Sequence, residues 1–230
     1  MTIGPVLALG FFLGMRHALD ADHLVAVATI VSQERSIRAA APIGILWGLG
    51  HTLTILVVGG VIILFGVVVP PRLGLAMEFC VAVMLIFLGG LNLRRVFRHS
   101  LRLPLADRAL DHFRTHHGRR TRSFRPLFVG IVHGLAGSAA VALLVLETIR
   151  QPAWALAYLA VFGVGTIAGM LAITLAMALP IVAIWVRFER MHFALTVATG
   201  LASVIFGIVL VYQIGFVHGL FGAHAQWTPE

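Results

Sequence analysis

Residues 3–31 read IGPVLALGFFLGMRHALDADHLVAVATIV, two apolar stretches flanking a compact polar group of Arg16, His17, Asp20, Asp22 and His23. A membrane-spanning helix needs about 20 mainly apolar residues, and this run is long enough. Its start, MTIGPVLALGFFLGM, has neither the basic n-region nor the small-residue cleavage site of a removable signal peptide. The run is therefore expected to be a first transmembrane helix with charge at its middle. At about 2.5 to 3.5 kcal/mol for each Arg or Asp at a helix centre, the three charged residues cost on the order of 8 to 10 kcal/mol without partners. A cost of that size needs an explanation.

The rest of the chain agrees with a bilayer setting. Of 230 residues, 60% are hydrophobic and 11% charged, with mean hydropathy +0.99. A soluble domain is nearer a quarter charged. All 17 basic residues are Arg, against 9 acidic ones. They crowd between apolar runs, which marks them as orientation signals and not as a nucleic-acid surface. The single cysteine, Cys80, excludes a disulfide within the chain and a thiolate cluster.

Six apolar stretches qualify as spans: Ile3–Val31, Ile43–Val69, Leu73–Val96, Leu127–Ile149, Ala153–Leu179 and Phe193–Val217. Pro70-Pro71 and Gln151-Pro152 break the chain between spans, and Pro180 is expected to end or kink the fifth. The one long connection carries Arg98, Arg102, Arg108, Arg114, Arg119, Arg120, Arg122 and Arg125. The positive-inside rule makes it cytoplasmic, which places both termini outside a multi-pass protein of the inner (plasma) membrane.

The chain also repeats itself. LGMRHALDADHLVAVATI lies over VGIVHGLAGSAAVALLVL at an offset of 116, pairing Gly14 with Gly130, His17 with His133 and Leu19 with Leu135. WGLGHTLTI lies over FGVGTIAGM at an offset of 115, pairing Gly48 with Gly163 and Gly50 with Gly165. The third and sixth spans share a loose pattern around Gly90 and Gly207. A three-span unit has an odd number of crossings, so its second copy enters the membrane inverted. The expected organisation is an all-α fold of six transmembrane helices in an inverted 3+3 repeat. Residues 1–97 form the first repeat, 98–126 a cytoplasmic Arg/His-rich loop and 127–230 the second repeat.

On a continuous helix His17, Asp20 and His23 fall at about 0°, 300° and 240°, one face, with Asp22 away from it near 140°. Arg16, near 260° and four residues before Asp20, is placed to pair with it. Imidazole and carboxylate donors in a water-poor cavity suit borderline divalent ions such as nickel, cobalt or zinc. His51 in GLGHT and His133 in VHGLAGS add donors from the second and fourth spans. The bland alternative is a set of polar residues knitting helices together.

His17-Ala18-Leu19-Asp20-Ala21-Asp22-His23 resembles the H-x4-D-H signature of the nickel/cobalt transporter family, and GLGHT is similar to that family's second-helix glycine-histidine motif. The resemblance runs from Gly10 to about Val217. Longer members have eight spans and an acidic LGFDTATE motif where this chain has HGLAGSAA, so it looks like the shorter, urease-associated branch. The resemblance implies metal binding by His17, Asp20, Asp22 and His23. It also implies transport of Ni2+ or Co2+ as substrate and delivery of nickel to a metalloenzyme such as urease.

The function expected is a secondary permease for these ions, working by alternating access, most simply in the direction of uptake. An inside-negative potential favours cation entry by about 2.3 kcal/mol per charge per 100 mV. Metal efflux is one alternative and an intramembrane metalloenzyme another, although H-E-x-x-H is absent; a third is a membrane subunit that only hands metal on. No P-loop occurs, and without Lys none can. Weaker candidates for metal contact are the loop residues His99, His112, His116 and His117, the C-terminal His218 and His224, and Glu78 as lining of an entry path.

Overall fold

The computed structural model describes residues 3–67, 69–100, 124–149, 151–187 and 189–227, and among these the regular structure is helical. The helices are α1 (Ile3–His17), α2 (Ala21–Val31), α3 (Ile37–Phe65), α4 (Pro71–Ser100), α5 (Arg125–Thr148), α6 (Pro152–Arg187) and α7 (Glu189–Tyr212), followed by a π-helical turn, Gln213–Val217. His112, His116, His117 and most of the expected cytoplasmic loop lie outside the described residues.

Local chemistry sets several of these boundaries. Ser36 caps α3 by accepting from Ala39 N at 3.2 Å. Gly66 ends it at φ 61°, the left-handed conformation that glycine adopts without strain. Pro71 and Pro152 each occupy a first helical position, where the missing N–H has no partner to lose. Of the two outcomes expected at Pro180, an end or a kink, the helix does not end there, since α6 runs through it to Arg187.

Among the described residues, four stretches are long and apolar enough to cross a membrane: Ile37–Phe65, Pro71–Arg98, Pro152–Ile184 and Met191–Val217. The first expected span is not one helix but two, α1 and α2. Large apolar side chains such as Phe12, Phe65, Phe87, Phe128 and Ile205 face outward, a surface that lipid solvates and water does not.

Helices α3 and α6 pack against each other at the centre, α5 lies along α3, α1 lies along α6, and α4 pairs with α7. Close approach is made by glycines, as expected where no hydrophobic force drives helices together in lipid. A Cβ on Gly14 would strike the Phe162 carbonyl and Thr166 N; one on Gly130 would strike the Trp47 carbonyl and His51 N. Phe162 and Thr166 each lie 115 residues after Trp47 and His51, so the two contacts correspond. Gly50 meets the Leu127 carbonyl and Gly165 meets that of Phe11 in the same reciprocal way. In the outer pair, Gly89 faces Gly200 O and Val204 N, while Gly207 faces Ala82 O and Ile86 N, all at an offset of 118. The residue matching Gly207 is thus Gly89 and not Gly90, whose Cβ position has nothing within 4 Å.

The largest buried cluster joins α2 (Ala26, Val27, Val31), α3 (Trp47), α4 (Val81, Leu85) and α6 (Met170, Ile173). Buried hydroxyls tie helices to one another's carbonyls: Thr52 Oγ1 donates to Gly163 O at 3.0 Å, Thr54 Oγ1 to Ile131 O at 3.1 Å, and Ser203 Oγ to Leu85 O at 2.8 Å. The C-terminal end of α2 is held by a polar network. Asn92 Nδ2 donates to Thr196 O at 3.1 Å and to Ser32 Oγ at 3.4 Å, His192 Nε2 to Ser32 O at 2.9 Å, and Gln33 bonds to both Asn92 and Arg95. At the opposite end of α4, Glu78 accepts from Trp227 Nε1 at 2.8 Å, so it anchors the C-terminal tail.

A candidate metal site at a broken helix

The chain leaves helical geometry between His17 and Ala21. Asp20 is extended at φ −60°, ψ 147°, and α1 closes with short-range bonds from Leu19 N to Arg16 O (2.8 Å) and Asp20 N to His17 O (3.1 Å). The fracture turns its ends towards suitable charges. Arg16 and His17 end α1, where the helix dipole favours a cation, and Asp22 begins α2, where it favours an anion.

The fracture also overturns the single-face reading. Asp22, expected to point away, is central: its Oδ2 accepts from His133 Nε2 at 2.8 Å, and its Oδ1 from His23 Nδ1 at 3.1 Å and His23 N at 2.9 Å. Asp20 stands at the rim with its side chain 52% exposed and holds His17 Nδ1 at 2.7 Å. Arg16 is exposed, and no Arg16–Asp20 ion pair occurs among the described residues. A continuous 100° step per residue cannot be carried across three residues that are not helical, which is why the projection misplaced both carboxylates.

His23, His51 and His133 are buried, coming from α2, α3 and α5. The His17 and His51 Nε2 atoms lie 3.0 Å apart. The His17, His23 and His51 ring centroids are 4.9 to 5.1 Å from one another, and His23 is 4.1 Å from His133. Trp47 walls the group at 6.3 Å from His23 and 5.6 Å from His133, and Phe162 lies 5.7 Å from His17. These aromatic walls were not singled out in the sequence. The available signal for Trp47 is its place one turn before His51 in WGLGH.

Carboxylates accept only, so Asp22 fixes protons on His23 Nδ1 and His133 Nε2. That leaves His23 Nε2 and His133 Nδ1 as lone pairs, and both atoms are buried without a hydrogen-bond partner, as is His51 Nδ1. A carboxylate on one imidazole nitrogen with the other left free is the arrangement that orients histidine for a metal ion. Of the six residues expected at the site, His17, Asp22, His23, His51 and His133 thus come together, with His23, His51 and His133 buried, His17 and Asp22 partly exposed and Asp20 at the edge. His218 and His224 are exposed at the far C-terminal end.

A helical membrane protein with a buried imidazole and carboxylate cluster at a helix break is the class these features define. Over 223 residues, 94% of each chain, the sequence is 37% identical to "Urease accessory protein UreH" of Bacillus sp. (strain TB-90). The chain belongs to the UreH family, the urease-associated branch of the nickel/cobalt transporters. No family model and no solved structure matches it.

Proposed function

We propose that the chain is a secondary permease that takes up Ni2+ or Co2+ by alternating access around the His/Asp cluster. One observation carries the reading: three imidazoles from separate helices, His17, His23 and His51, converge in the interior with the His23 Nε2 lone pair unpartnered. A purely structural polar cluster would satisfy its own members, whereas a borderline divalent cation supplies what these nitrogens lack.

The expected inverted repeat gives the cluster its setting. The reciprocal glycine contacts support halves at 1–97 and 127–230, joined by a cytoplasmic segment at 98–126. Six crossings follow if α1 and α2 together form one broken span, the design in which transporter sites sit at the ends of half-helices near mid-membrane. The membrane would be the inner (plasma) membrane, with both termini outside. The accessory role in the relative's name favours nickel as cargo and urease as its final destination.

The test is metal accumulation by cells expressing the protein, with and without a proton uncoupler. Uptake of 63Ni2+ above control cells is the expected result. Metal depletion relative to control would reverse the direction to efflux, and no difference in metal content would leave the enzyme or subunit readings.

A further inference from the structure

The cluster holds two groups of three donors. Donor atoms of His17, His23 and His51 lie within 4.8 Å of one another, and so do those of Asp22, His23 and His133. His23 belongs to both. The residues not shared stand further apart, with the His51 and His133 centroids at 6.1 Å. Two nitrogens on one ion lie at most about 4.1 Å apart, at metal–nitrogen distances of about 2.0 to 2.1 Å, and the donors of the five residues do not form a single group even within 4.8 Å.

The groups also face different surroundings. The first lies beside Phe162 and the end of α1, where the His17 side chain is 18% exposed and Asp20 reaches the surface. The second lies one helical turn beyond the lining of a cleft of about 850 Å3 between α2, α4 and α5. Val129, which lines the cleft, precedes His133 by one turn of α5. Thr29, also lining it, follows Asp22 on the same face of α2 at i+7.

We infer that the cluster offers a divalent transition-metal ion two alternative positions, His17–His23–His51 and Asp22–His23–His133, and that the ion passes from one to the other with His23 as the shared ligand. This rests on the permease reading. A shared ligand matters in a dry interior because an ion that changed all its donors at once would be left bare in a low-dielectric medium. Keeping His23 lets the ion exchange His17 and His51 for Asp22 and His133 one at a time, as Asp22 turns from the ring N–H groups to the ion and the proton of each ring moves to its other nitrogen. The second group also supplies a carboxylate, so the ion moves to a harder donor set as it turns towards the cleft.

The probe is Co2+, whose visible absorption reports donor number and type, titrated into the purified full-length protein. The parent is expected to bind one Co2+ per chain. His51→Ala and His133→Ala should each still bind one, about 10- to 100-fold more weakly and with spectra that differ from each other, while their flux in liposomes falls at least ~10-fold. The double variant should bind none. His133→Gln, which preserves a polar partner for Asp22 and so guards against misfolding, should behave like His133→Ala. Parental spectrum and flux in His133→Gln would overturn the second position, and two Co2+ per chain in the parent would overturn alternation. A parent that binds no Co2+ would instead overturn the permease reading beneath it.

Discussion

His17 Nε2 lies 3.0 Å from His51 Nε2, two ring nitrogens brought together from helices 34 residues apart in sequence. Two ligands on a tetrahedral ion with bonds of about 2.05 Å are separated by about 3.3 Å, so the pair already stands within a few tenths of an ångström of a metal-bridged geometry. Asp20 holds the other nitrogen of His17, and thereby decides which lone pair faces inward.

Asp20→Asn is therefore expected to weaken metal binding by about 10- to 100-fold without removing it, because it disturbs the orientation of His17 and leaves the three imidazoles in place. Isothermal titration with Ni2+ measures this. An unchanged affinity would mean that the rim carboxylate plays no part in setting the ring.

Acidification should compete with metal. Imidazole must be neutral to bind, so acidification far enough to protonate the rings of the cluster should raise the Kd for Co2+. A Co2+ titration repeated from neutral pH downwards would show this, and a Kd that stays constant as far as the protein remains folded would contradict histidine ligation.

The reciprocal contacts predict matched penalties. Gly14→Val and Gly130→Val each force a side chain against a carbonyl of the facing helix, costing about 1 to 3 kcal/mol. Thermal unfolding in detergent should show similar losses for both, whereas Gly90→Val, at a position with open space, should lose little. A large loss at Gly14 with none at Gly130 would contradict the pairing of the halves.

Asn92 ties α2 to α4 and α7 at a buried position. Asn92→Leu removes both donated bonds and leaves the Gln33 amide without its partner, which is expected to cost about 1 to 3 kcal/mol. The loss is read as a lowered unfolding temperature. Stability equal to the parent would show that water or neighbouring groups replace the network.

Much of this was legible in the sequence because the governing signals are strong and local. Charge inside an apolar run marked His17, Asp22 and His23, and the two matched glycine pairs, Gly14 with Gly130 and Gly50 with Gly165, reappear as reciprocal carbonyl contacts. What escaped was governed by backbone geometry. Nothing between His17 and Ala21 is Pro or Gly, so the break had no breaker residue to announce it, and the roles of Asp20 and Asp22 were exchanged in consequence. The match of Gly207 to Gly89 was out by one because the apolar pattern of that pair is too uniform to fix a register. The Trp47 wall depends on which face of α3 meets α5, a tertiary choice that a helix apolar all round does not encode.

The most direct test of the central claim is Ni2+ flux into proteoliposomes containing the parent or His23→Ala, with membrane insertion of both checked by equal protein recovery. Time-dependent accumulation is expected with the parent, and flux at the level of empty vesicles with His23→Ala. Accumulation at the parental rate in His23→Ala would contradict the claim, because the ion would then cross without the one histidine on which the cluster turns.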